Sequence, residues 1–140
     1  MRRAFIITST LSLLAGTALA QSGPPTEPWD LRPAQAFSNI CLSQETGDAR
    51  GLRVFVRVPG ARPLIVTQVA EGAPMPPQAA TAAKVTGTAV SFTTAGGETF
   101  RGVLSDTALT LSSQRLPRLV LHRRSDAKGF PVCTGAEGQS

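Results

Sequence analysis

The sequence predicts a mainly β domain in which a small antiparallel meander closes into a barrel, with one short N-terminal helix and one disulfide. Four short segments of alternating polarity follow one another between residues 88 and 122, about ten residues apart, as consecutive strands of a meander do. Two cysteines, Cys41 and Cys133, flank this strand-rich region. A closed barrel removes the exposed edges of a short sheet, and a two-layer β-sandwich is the alternative.

Residues 1–20 have the order of a cleavable secretory signal peptide. Arg2 and Arg3 precede an apolar stretch, residues 4–14, and small residues then lead to Ala20. The stretch contains hydroxyl side chains and is shorter than the roughly 20 apolar residues of a membrane-spanning helix. We therefore expect a periplasmic or secreted protein with no membrane span. The arginine pair also suits a twin-arginine signal, so the export route stays open.

The rest of the chain divides into a short leader and one domain. Residues 21–28 are rich in proline, glycine and serine, which predicts a flexible leader. Residues 29–140 are long enough for a single β-rich domain. Cleavage removes Arg2 and Arg3 and lowers the formal net charge from +5 to +3, so the basic composition is a weak argument for nucleic acid. We expect no nucleic-acid partner.

The two cysteines predict a disulfide between Cys41 and Cys133, because an exported chain meets an oxidising compartment. A bridge that closes so long a loop contributes about 4 to 5 kcal/mol in the chain-entropy model. The alternative, one reactive thiol beside one buried cysteine, has no Cys-x-x-Cys motif or nearby base to support it. A structural role therefore explains the pair better than catalysis.

The segments before the meander predict one helix and two strands. Asp30 and Pro33 suit the start of a short helix that carries Phe37, Ile40 and Cys41 on one side. Strict alternation over residues 52–58 predicts a half-buried strand with Leu52, Val54, Val56 and Val58 on one face and Arg53, Phe55 and Arg57 on the other. Residues 64–69 predict its hairpin partner.

The following region is expected to leave the sheet. Three prolines within residues 71–77 remove backbone donors, and residues 78–84 have room for one helical turn at most. The four meander strands after it each contribute a pair of apolar side chains to the interior. These pairs are Val90 with Phe92, Phe100 with Leu104, Leu109 with Leu111, and Leu119 with Leu121.

No residue set has the pattern of a catalytic or metal site. His122 is the single histidine, and its place at the end of an alternating segment favours a surface role. The carboxylates stand mostly beside predicted turns, where solvated side chains are common. Two of them brought together in space would suit glycoside hydrolysis, which the sequence spacing leaves open. We expect a protein that is not an enzyme and that has no cofactor and no metal.

Basic residues gather around the first and last predicted strands. If the disulfide brings these strands together, the arginines form one positive surface around Phe55. The predicted partner-binding residues are Arg53, Phe55, Arg57, Arg118, Arg123 and Arg124. A solvated strand edge kept soluble by arginine is the alternative explanation of the same residues.

These observations favour an exported non-enzymatic binding module that engages an anionic partner through an arginine-rich strand face. An envelope protein, an acidic glycan or a lipid surface would each fit. The alternative is a small periplasmic inhibitor of an envelope or secreted hydrolase, for which the proline-rich segment, residues 72–77, is the best rigid loop. A small hydrolase is a third class, disfavoured by the missing nucleophile and metal sets.

Overall fold

The computed structural model describes residues 34–58, 62–125 and 129–134. The predicted signal peptide, residues 1–20, and the predicted leader, residues 21–28, lie outside the described residues. All described residues belong to one compact unit, Leu31–Ser140. They form no helix, and hence none that could span a membrane.

Ten strands make up a single antiparallel sheet. They are β1 Gln35–Ser38, β2 Cys41–Leu42, β3 Ala49–Arg57, β4 Leu64–Pro74, β5 Gln78–Ala79, β6 Thr81–Thr86, β7 Ala89–Thr93, β8 Thr99–Leu104, β9 Ala108–Ser112 and β10 Leu119–Arg123. Their order across the sheet is β5-β4-β3-β1-β10-β9-β8-β7-β6, and β2 also pairs with β3.

The sheet forms a nearly closed barrel because its two outermost strands are consecutive pieces of one stretch. β5 pairs with β4, β6 pairs with β7, and only Ala80 separates the two. The Ala80 N–H still donates to the carbonyl of Ile65 at 2.9 Å, and Ala82 then adopts a positive φ of 49°. The ladder with β7 shifts register at the same place. The β5–β6 stretch thus passes from one sheet edge to the other.

A second strand position is also interrupted. β1 and β2 both pair with β3, and the chain bends between them at Asn39. The Asn39 side-chain oxygen accepts the N–H of Leu52 at 2.7 Å, which replaces a missing ladder bond. Gly51 faces this bend with a φ of 127°, and an added Cβ would lie 2.7 Å from that same oxygen. With β1–β2 and β5–β6 each counted once, the barrel has eight strand positions.

The barrel interior is filled by apolar side chains of nearly every strand. Phe92 and Phe100 stack at 5.6 Å between ring centroids. The buried members of the core are Phe37, Val54, Val56, Ile65, Val90, Phe92, Phe100, Leu109, Leu111, Leu119 and Leu121. Gly102 lies in the middle of β8, where an added Cβ would overlap the Thr110 carbonyl oxygen of β9. This close approach of two strands requires glycine.

Residues 129–134, here called the C-terminal segment, pack on the outside of the barrel. Leu42 donates its N–H to the Pro131 carbonyl and accepts the N–H of Cys133, both at 2.8 Å. The Cys41–Cys133 disulfide fastens this segment covalently. A small outer cluster of Ile40, Ala49 and Ala70, with Leu42 and Phe130 beside it, lies beneath.

The meander and the disulfide are confirmed, and the predicted inward pairs all belong to the core or pack against it. Residues 35–38, predicted as part of a helix, form strand β1 instead, and residues 30–33 lie outside the described ones. Two further expectations were wrong. β4 continues to Pro74 because Glu71 and Gly72 still pair with β3. Residues 78–84 form no helical turn, since 78–79 are β5 and 81–84 are the first part of β6.

Candidate functional site

A wide hollow occupies one open end of the barrel, here called the mouth. The β2–β3 loop, the end of β4, the β7–β8 turn and the β9–β10 connection surround it. Its volume is about 1680 Å³ and it opens widely to solvent. The mouth exists because the apolar core stops before the strands do, and the next inward positions carry polar side chains.

The floor of the mouth is apolar. Phe100 and Leu119 belong to the buried core, and Leu52 and Leu116 are partly buried against it. Val69, at the side, keeps 37% of its surface exposed. Apolar surface therefore borders the hollow at its base, where a bound molecule would displace water from it.

Charged side chains stand above this floor. Arg50 of β3 and Glu71 of β4 are cross-strand partners, two residues beyond the inward pair Leu52 and Val69. Side chains two apart in a strand share a face, so both extend into the mouth. Both are exposed, and neither forms an ion pair with a described residue.

Glu98 is held more firmly than the other charges of the mouth. The Ser113 hydroxyl donates to one of its carboxylate oxygens at 2.6 Å and accepts the N–H of Leu116 at 3.1 Å. The Thr94 hydroxyl accepts the Glu98 N–H at 3.2 Å, which fixes the backbone of the β7–β8 turn. Glu98 is half-buried, as is Asp48 on the β2–β3 loop, whereas the three arginines of the mouth are exposed.

The proline-rich segment forms a projecting tip beside the mouth. Residues 71–76 are all exposed, and Met75 exposes 50% of its surface. The Met75 N–H donates to the Val69 carbonyl at 2.8 Å, and the Gln68 side-chain amide donates to the Met75 carbonyl at 3.0 Å. The tip, which comprises the end of β4 and the first residues after it, is thus ordered and carries the exposed apolar side chain of Met75.

The predicted arginine face is only partly assembled. β3 and β10 lie on either side of β1, so a single strand separates the first and last predicted strands. Phe55 is 8% exposed, so its ring is not part of an open surface. The Arg53 guanidinium lies over the rings of Phe55 and Phe130, at 5.9 Å and 4.8 Å from their centroids. Arg53 is half-buried by this packing.

The other predicted site residues lie farther apart. Arg118 is exposed on the β9–β10 connection, near the mouth. Arg123 is the last residue of β10 and Arg124 follows it at the opposite end of the barrel, here called the far end, where β3 ends at Arg57. Both are exposed, and Arg123 donates from Nη1 to the Asp106 carbonyl at 3.2 Å. The N–H of Arg124 donates to Ala36 of β1, which lies between β10 and β3.

Charge is divided unevenly between the mouth and the rest of the described structure. Four of the five described carboxylates line the mouth, where they face three arginines. Outside the mouth, the described residues include seven basic side chains and one carboxylate, Asp106. The basic set is Arg53, Arg57, Arg62, Lys84, Arg118, Arg123 and Arg124.

Sequence reasoning missed Arg50, Glu71, Glu98 and Ser113 as members of one site. The predicted meander could have indicated that these residues lie together, because alternate turns of a meander lie at the same end of a barrel.

Among the described residues, no three His, Cys, Asp or Glu side chains form a group that could hold a metal ion. No protein-family model matches the chain, and comparisons with curated proteins and with solved structures also find no match.

Proposed function

We propose that the protein is an exported, non-enzymatic binding module that engages an anionic partner through arginines outside the mouth. One observation carries the proposal. Among the described residues outside the mouth, seven side chains are basic and only one is a carboxylate. Such an excess of one sign attracts an anionic surface over several ångströms and raises the rate of encounter. The Cys41–Cys133 disulfide is compatible with the oxidising compartment to which an export signal would lead.

The far end is the best candidate for the contact surface. Arg62, Arg123 and Arg124 are exposed there, while Arg53 is engaged with aromatic rings and Phe55 is buried. The proposal therefore moves the centre of the binding surface from the strand face to Arg123 and Arg124. Arginine suits this role because its planar guanidinium bonds carboxylate, sulfate and phosphate oxygens in pairs.

The test compares two double variants with the same change in net charge. R123S/R124S removes charge from the far end, and R101S/R115S removes it from the mouth. Binding is measured to phosphatidylglycerol vesicles and to a sulfated polysaccharide, each at low and high salt. We expect the far-end variant to bind about 10- to 30-fold more weakly at low salt. Equal losses in both variants would contradict a localised site and leave only the effect of net charge.

A second function is favoured by the tip, residues 71–76. An exposed loop held by two hydrogen bonds and two prolines loses little entropy on binding, as the reactive loops of enzyme inhibitors do. Inhibition of a hydrolase would then depend on Met75. The variant M75E should abolish inhibition of peptidoglycan or casein hydrolysis by an envelope extract without lowering the melting temperature, and V58E is a matched exposed control.

A further inference from the structure

We propose that the mouth binds one small amphiphilic molecule that has an apolar body and a positively charged group. The site is separate from the arginines of the far end, and its occupancy does not depend on the function proposed for them. A barrel of eight strands is just wide enough either to be filled by side chains or to hold one small ligand. In the lower part the side chains fill it, whereas the mouth leaves about 1680 Å³ open.

The floor defines the apolar part of the ligand. Phe100 and Leu119 close the base, and Leu52 and Leu116 extend it upward. Met75 stands at the edge of the same hollow with half of its surface exposed. Ligand sites in barrels combine such apolar lining with a few fixed polar groups, so an aliphatic or aromatic body is expected to lie on this floor.

The two half-buried carboxylates of the mouth define the charged part of the ligand. Glu98 and Asp48 are half-buried, whereas Arg50, Arg101 and Arg115 are exposed to solvent. Partial burial strengthens the interaction of a carboxylate with a cation, while exposed arginines are screened by water and salt. The bond from Ser113 holds the Glu98 carboxylate in place before any ligand arrives. An ammonium or guanidinium group therefore suits the mouth better than a carboxylate.

The overall charge of the protein makes this proposal easy to test. The net charge is positive, +5 for the full sequence and +3 without residues 1–20, which favours anionic ligands, so preference for a cation has to come from the mouth. The probes are dodecylammonium and dodecanoate, which share a chain length, at concentrations below micelle formation. We expect calorimetry to give one site with at least tenfold tighter binding of dodecylammonium. Tighter binding of dodecanoate would overturn the proposal.

The location is tested by backbone amide chemical shifts and by variants. Shifts caused by dodecylammonium should concentrate in residues 50–52, 94–98 and 113–116, and shifts spread over the far end would contradict the assignment. We expect E98Q to weaken dodecylammonium about tenfold, since it removes the fixed charge but keeps the shape. D48N serves as a second variant if E98Q folds poorly, because Asp48 is the other half-buried carboxylate of the mouth. D106N is the control, because it removes a carboxylate from the far end. Equal weakening by D106N would overturn the site.

Discussion

The two ends of this barrel differ in charge and in packing. At the mouth, the core stops early and carboxylates outnumber arginines; at the far end, Arg123 and Arg124 face one described carboxylate, Asp106. Consecutive strands of a meander reverse direction, so every second turn lies at the same end. Charges placed in successive turns therefore lie at opposite ends of the barrel, and one small domain can present two surfaces of different chemistry.

The largest expected effect comes from the disulfide, which fastens the C-terminal segment beside the mouth. Because Cys41 and Cys133 are 92 residues apart, reduction should lower the free energy of unfolding by about 4 to 5 kcal/mol. Urea denaturation with and without dithiothreitol measures this loss of stability. A C41A/C133A variant should have the same free energy of unfolding as the reduced protein, and dithiothreitol should not change it.

Hydrogen exchange on the reduced protein would sharpen the comparison between the ends. We expect amides of β2 and of residues 131–133 to lose protection before those of β8 and β9, because the outer segment is held by few other contacts. Loss of protection that begins in the meander would show instead that the disulfide stabilises the whole barrel uniformly.

A glycine substitution separates the filled part of the barrel from the mouth. In G102A the new methyl group meets the Thr110 carbonyl of the neighbouring strand, so we expect a loss of about 3 kcal/mol or a failure to fold. G96A, in the β7–β8 turn at the mouth, has its nearest neighbour at 3.8 Å and should change stability by less than about 0.5 kcal/mol. Thermal unfolding of both variants tests the difference.

The smallest expected change in stability distinguishes Arg53 from Arg118, two arginines that were predicted from the sequence to share one surface. Arg53 lies over two aromatic rings, so R53Q should lower the free energy of unfolding by about 1 kcal/mol. Arg118 is exposed on a connection, and R118Q should stay within about 0.5 kcal/mol of the parent. A larger loss in R118Q than in R53Q would show that the cation–π packing contributes little.

The fold was predictable where polarity alternates strongly. The meander from Val90 to Leu121 follows a period of two, and its inward side chains are the ones that the structure buries. The stretch 78–86 was missed because alanine and threonine give little contrast between faces, and because the preceding prolines suggested a loop. The strand there depends on partners at both edges of the sheet, which no local pattern encodes.

The site was less predictable than the fold. Alternation placed Phe55 on the outer face, but only the packing of Arg53 and Phe130 on that face shows that it is not an open surface. The mouth depends on where the core ends, which is set by the lengths of several strands together. Glu98 and Ser113 are fifteen residues apart and meet only after β8 and β9 pair.

The junction at Ala80 has a consequence for how the strands find their register. A hairpin of β4 and β5 that slipped by two residues would keep its apolar side chains on the correct face. Yet β6 follows β5 after a single residue, so the same slip would displace β6 along β7. A pairing error at one edge is therefore incompatible with correct pairing at the other. The short covalent link between the edges selects one register for the whole barrel.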